Sequence, residues 1–146
     1  MSKPCIVVVG GNPRDAELLR MALDRQGEAY ELVALPDGAE ALRFLVNRHA
    51  GVPEPRPCVI LLDVHLPKYD GLDVLTAVRR EPNLRHVDIV MLASGAVRRQ
   101  ESVRMQKLDA VFRQKPRHFS EVLDLAGEVM DLCRQHRESR PETSVA

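Results

Sequence analysis

Four short stretches hold side chains that could do chemistry. The apolar run CVILL (58–62) ends in Asp63, VMLAS (90–94) ends in Ser94, RQKP (113–116) carries Lys115, and CIVVV (5–9) runs into Gly10-Gly11. A glycine pair after an apolar run could cradle a phosphate on its backbone N–H groups, as in dinucleotide-binding loops. That chemistry needs G-x-G-x-x-G, whereas the chain reads Gly-Gly-Asn-Pro-Arg-Asp, and Pro13 removes an N–H that a cradle would use. The other reading is that Gly10-Gly11 stand where a more reactive pair is missing. The three cysteines, Cys5, Cys58 and Cys133, do not have metal-ligand spacing and read as small buried hydrophobes.

The elements that must position these groups follow from the apolar pattern. CIVVV and CVILLD do not alternate, so they read as strands buried on both faces. YELVAL (30–35), DIVMLAS (88–94) and AVFRQ (110–114) complete five strands. Between them lie amphipathic segments. Arg14–Gln26 follows an Asn12 cap and Pro13 at the first helical position. PDGAEALRFLVNRHA opens with a turn and becomes a helix, and Gly71–Arg80, Arg98–Leu108 and Ser120–Gln135 complete the set. The three prolines of GVPEPRP (51–57) require a loop. Strand then helix, five times over, implies an α/β fold: a parallel sheet with helices on both faces. In such sheets reactive groups collect at the C-terminal ends of the strands. Gly10-Gly11, Asp63, Ala93-Ser94 and Lys115-Pro116 all fall there.

The bulk numbers set limits. A chain of 146 residues with 45% apolar content suits one domain with one core. The expected division is a domain over 1–136 and a polar, disordered tail over 137–146. Lysine plus arginine balance aspartate plus glutamate, 21 against 21, and aromatics are only 3%, so nothing points to nucleic acid or an anionic membrane surface. No apolar run approaches ~18 residues, so no membrane span is expected. The N-terminus lacks a secretory pattern, and the expected compartment is the cytoplasm.

VILLDVHLPKYDGLDVL, VMLAS and RQKP, in this order and at these distances, resemble the receiver domain of two-component response regulators over about residues 4–135. GNPRDAELL, the loop before Cys58 and PNLRHVDIVML resemble the single-domain regulators associated with bacteriophytochromes. The resemblance implies a three-layer, doubly wound, five-stranded sheet of order 2-1-3-4-5, flavodoxin-like. It implies that Asp63 accepts a phosphoryl group from a histidine kinase, such as a bacteriophytochrome. Mg²⁺ would be held by Asp63, by the backbone carbonyl of His65 and by acids at the end of the first strand. Lys115 would be a second cation on the phosphate, and Phe112 either an aromatic switch or, with no hydroxyl at Ala93 to move the loop, a fixed core residue. Receivers signal through the fourth helix, fifth strand and fifth helix, which makes that face, with Arg98, Arg99, Arg104 and Lys107, either a partner or homodimer surface or a solvated face. The Lys115-Pro116 bond is expected to be cis. In the implied strand order Cys5 and Cys58 lie on neighbouring strands, which leaves a disulfide between them as a minor alternative to two thiols.

Two departures bear on this chemistry. Gly10 and Gly11 replace the usual acids, so Mg²⁺ is expected to be weak or absent. The usual hydroxyl position is Ala93, and Ser94 substitutes only if the strand end twists, because neighbours on a strand face opposite ways. Asp15 is either a helix N-terminal charge or a replacement metal ligand. With the metal weakened, Asp63 and Lys115 are expected to pair directly. Two functions follow. One is a phosphoacceptor regulator with an impaired Mg²⁺ site and no enzymatic activity beyond self-catalysed phosphotransfer. The other is a pseudo-receiver acting as a phosphorylation-independent adaptor.

Overall fold

The structure, a computed structural model, describes residues 3–46 and 56–139. Five parallel strands, β1 (Cys5–Val9), β2 (Glu31–Leu35), β3 (Pro57–Asp63), β4 (Asp88–Ala93) and β5 (Val111–Gln114), form one sheet of order β2-β1-β3-β4-β5. The helices are α1 (Pro13–Asp24), α2 (Gly38–Leu45), α3 (Gly71–Arg80), α4 (Arg99–Lys107) and α5 (Phe119–Ser139), with one 3-10 turn at Pro82–Leu84. Every residue of β1 and β3 is buried, as their unbroken apolar runs require, whereas the edge strands β2 and β5 are half-buried or exposed. Alternation sorts the side chains into two cores. Ile60, Leu62, Met91 and Ala93 pack with α2, α3 and α4, and Leu61, Val90 and Leu92 pack with α1 and α5.

Side-chain caps start three helices just beyond strand ends. Asn12 accepts from the N–H of Arg14 (3.0 Å), Asp37 from Glu40 (2.9 Å) and Asp70 from Leu72 (2.8 Å). The start of α3 is pressed against the end of β3: a Cβ added at Gly71 would lie 2.0 Å from the carbonyl oxygen of Asp63. Only glycine permits that approach, and it fixes where Asp63 ends its strand. Most of the proline-rich loop lies outside the described residues, and its last residue, Pro57, already opens β3. The last helix continues to Ser139, past the expected end at Gln135, and residues 140–146 lie outside the described part.

Two expectations are corrected. No peptide bond among the described residues is cis, so Lys115-Pro116 is trans, the form that X–Pro bonds favour by default. The cysteine pairing also differs: Cys58 is joined to Cys133, with Cα atoms 5.3 Å apart. The reason lies in register. The β1–β3 pairing shifts between Cys5 and Ile6, so Cys5 aligns with Pro57 and Ile6 with Val59, and Cys58 has no direct partner on β1. Cys58 faces the α1–α5 core with Cys133, while the Cys5 side chain points into the opposite core. Cys58 Sγ still lies 3.4 Å from the Cys5 carbonyl oxygen. The bond closes a separation of 75 residues, so reduction is expected to cost about 4 kcal/mol through the freed unfolded chain. Thermal melts with and without reductant, beside Cys133→Ser, test this, and superimposable curves would refute it.

Candidate functional site

The ends of β1, β3 and β5 converge on one buried carboxylate. Asp63 is the last residue of β3 and only 6% exposed. Lys115 follows β5, and its backbone N–H donates to the carbonyl of Ala93 at 2.8 Å, which anchors the turn beside β4. From there Lys115 Nζ reaches Asp63 Oδ2 at 2.9 Å. The expected ion pair is therefore formed. A second carboxylate joins it: Asp15, in the first turn of α1, places Oδ2 3.0 Å from the same ammonium. Asp15 thus acts on Lys115, and a link across 100 residues of sequence connects α1 to the β5 turn.

The glycines shape this pairing. A Cβ on Gly10 would lie 2.7 Å from Asp63 Oδ2, closer than real Cβ contacts come. The space that a side chain at position 10 would enter is therefore occupied by the carboxylate of Asp63. A Cβ on Gly11 would meet the ring of Pro67 at 3.4 Å and the Pro36 carbonyl oxygen at 4.0 Å, both ordinary contacts. The Gly11 N–H also donates to Asp63.

Burial pushes the Asp63 carboxyl above the usual carboxylate range, against the opposing pull of Lys115. For Lys115, burial by itself would lower the ammonium's pKa. The hydrogen bonds and charges of Asp63 and Asp15 outweigh it, and the net direction is upward. With both acids ionised the triad sums to one negative charge. It borders a cavity of about 260 Å³ between α1 and α5, walled by Val8, Leu19, Leu61, Leu92 and Leu125. Among the described residues no three or more His, Cys, Asp or Glu side chains gather as a metal-holding group.

The remaining site residues differ in burial. Ala93 is buried in the α2–α3–α4 core and Ser94 is exposed just past the strand. His65 is exposed, on the loop after β3. Phe112 is half-buried and packed against the core that holds Ala93 and Met105. The loop after β4 has a contact that the sequence did not suggest: Gln114 Nε2 donates to the Gly95 carbonyl at 3.2 Å. Arg98, just before α4, lines an open groove with Arg99, Val103, Arg104 and Lys107 of that helix, and Arg104 is tied to Asp73 and Thr76 of α3.

Comparison with known proteins gives a consistent set. Residues 6–125 match the response regulator receiver domain family. Response regulator Rcp1 of Synechocystis sp. is 35% identical over 90 residues, covering 62% of this chain and 61% of Rcp1. The chain thus spans about three fifths of the curated relatives it matches first. The Mn(2+)-bound form of Rcp1 superimposes with a TM-score of 0.74 at 26% identity, covering 88% of this chain and 92% of that one. The phosphorylated cyanobacterial phytochrome response regulator RcpA gives a TM-score of 0.77 at 26% identity, covering 89% and 93%. The bacteriophytochrome response regulator AtBRR is 37% identical with a TM-score of 0.69, covering 90% and 95%. No helix among the described residues is long and apolar enough to cross a membrane.

Proposed function

The chain belongs to the response regulator receiver domain family, and from that premise we propose that it is a single-domain regulator that takes a phosphoryl group on Asp63 from a sensor histidine kinase of the bacteriophytochrome kind. The reading is carried by one observation: a buried carboxylate at the end of the central strand, with a lysine ammonium 2.9 Å from one oxygen. An Asp63 oxygen attacks phosphorus, the bond from phosphorus to the donor's imidazole nitrogen breaks, and the imidazole leaves with the electron pair. Like charges meet in this step, so a cation must offset them. Lys115 is the cation this chain supplies.

The family's Mg²⁺ does not find its donor set here. Its hard, oxygen-only coordination draws on acids at the end of the first strand, and those positions are Gly10 and Gly11. The two carboxylates at hand, Asp63 and Asp15, are both engaged by Lys115. This supports an impaired metal site. The same facts favour a second reading, a pseudo-receiver working as a phosphorylation-independent adaptor through its α4–β5–α5 face, alone or as a homodimer. In either case the receiver unit acts in the cytoplasm, and its last helix runs to Ser139, past the expected boundary at residue 136.

Incubation with acetyl phosphate and Mg²⁺ followed by intact-mass measurement separates the two. The expected result is a single phosphoryl adduct that Asp63→Asn abolishes. No adduct even at high Mg²⁺ would overturn the phosphoacceptor reading and leave the adaptor.

A further inference from the structure

We propose that Asp15 is a positioning residue that restrains phosphoryl transfer: it holds the Lys115 ammonium away from an incoming phosphoryl group, and the group enters only as that contact loosens. The inference rests on the reading of Asp63 as phosphoacceptor. Its ground is the shared ammonium, with Asp15 Oδ2 at 3.0 Å and Asp63 Oδ2 at 2.9 Å from one Nζ.

Before transfer the three side chains sum to one negative charge. After transfer Asp63 carries a phosphoryl group with about two negative charges, and the sum becomes more negative by one. Lys115 must then turn an N–H toward phosphate, while Asp15 competes for the same donor and repels the phosphate. The Asp15 side chain is 40% exposed and that of Lys115 is 24% exposed, so the acid can move into water while the lysine stays. Asp15 has a further constraint: it sits in the first turn of α1, which Asn12 caps through the N–H of Arg14. Helix α1 does not depend on Asp15 for its cap, and removing the charge should leave the helix in place.

The alternative assignment of Asp15, a replacement metal ligand, predicts the opposite sign. A ligand's removal slows Mg²⁺-dependent transfer, whereas removal of a competitor speeds it. The test uses the full chain with acetyl phosphate at fixed Mg²⁺, reading the rate of adduct formation by intact mass. In that step an Asp63 oxygen bonds to phosphorus and acetate leaves with the electron pair. Asp15→Asn is expected to form the adduct about 10-fold faster, since one like charge a few ångströms away is worth about one power of ten at a partly exposed site. Asp15→Glu, which keeps the charge, is expected to behave like the parent. Added KCl should bring the parent toward the Asn variant by screening, a response that a purely structural role would not produce. Equal rates for parent and Asp15→Asn overturn the inference and leave the phosphoacceptor reading intact. A slower Asn variant overturns it in favour of metal ligation. No adduct on either protein removes the phosphoacceptor reading and this inference together.

Discussion

Replacing Gly10 and Gly11 together with aspartate is expected to lower the Mg²⁺ concentration for half-maximal phosphoryl adduct by about 100-fold. Two carboxylates a few ångströms from a divalent ion gain several kcal/mol at an effective dielectric near ~20, and partial exposure and the ion's reluctance to dehydrate reduce that to about 3 kcal/mol. The two positions should not contribute alike. At Gly11 the new Cβ meets the Pro67 ring at 3.4 Å and the Pro36 carbonyl oxygen at 4.0 Å, both ordinary contacts, so Gly11→Asp should be accepted without rearrangement. At Gly10 the new Cβ would fall 2.7 Å from Asp63 Oδ2, so that carboxylate must swing away from its present place. The displacement would also loosen its contact with Lys115, and it frees an oxygen for metal. Gly11→Asp should therefore carry a clean part of the gain, and Gly10→Asp should add to it only together with Gly11→Asp. Adduct yield against Mg²⁺ for the parent, the single variants and the double variant decides this. Coincident Mg²⁺ curves for parent and double variant would mean that the glycines do not limit metal binding.

The local pattern made much of this fold legible, and its long-range pairings much less so. Unbroken apolar runs at 5–9 and 58–62 gave two doubly buried strands, and both are buried along their whole length. Asn12-Pro13 marked the start of α1 to the residue, because a capping side chain and a proline act on adjacent atoms. Asp63 and Lys115 were legible because one ends a strand and the other follows one, and parallel topology brings strand ends together. Asp15 is the first-turn acid of α1 that its position suggested, but its contact with a lysine 100 residues away was not legible. A signal was present: α1 starts at the end of the sheet where β3 and β5 also finish, so an acid in its first turn is a candidate neighbour of the groups collected there. Cys133 was missed for a comparable reason. Spacing alone cannot say that a register shift after Cys5 leaves Cys58 facing α5. The exposed Ser94 and the core-packed Ala93 follow strand alternation, which was readable from the start.

Lys115→Met should affect rate and stability together, and the pH dependence of the second effect identifies its cause. The variant leaves Asp63, 6% exposed, with the Gly11 N–H but without its cation, and with Asp15 as an uncompensated neighbour. The adduct rate is expected to fall by about 10²–10³, the usual cost of removing one charge-stabilising donor from a reacting centre. Stability near neutral pH should fall by about 3 kcal/mol, because breaking a buried pair strands a charge. Burial already holds the Asp63 carboxyl above its unfolded value, and losing Lys115 must push it higher. An acid whose folded pKa is raised stabilises the fold fully below its unfolded value, and that contribution is lost as pH rises through the folded value. Parent and variant melts should therefore converge below about pH 4, where Asp63 is neutral in both, and separate as pH rises. Lys115 has a raised pKa as well, so its contribution persists across neutral pH and is lost only as pH climbs through that raised value, where the two proteins should approach each other again. A stability difference that stays constant from acid to neutral pH would assign the loss to packing of the lysine stem, and Asp63 would then not be the buried charge that Lys115 balances.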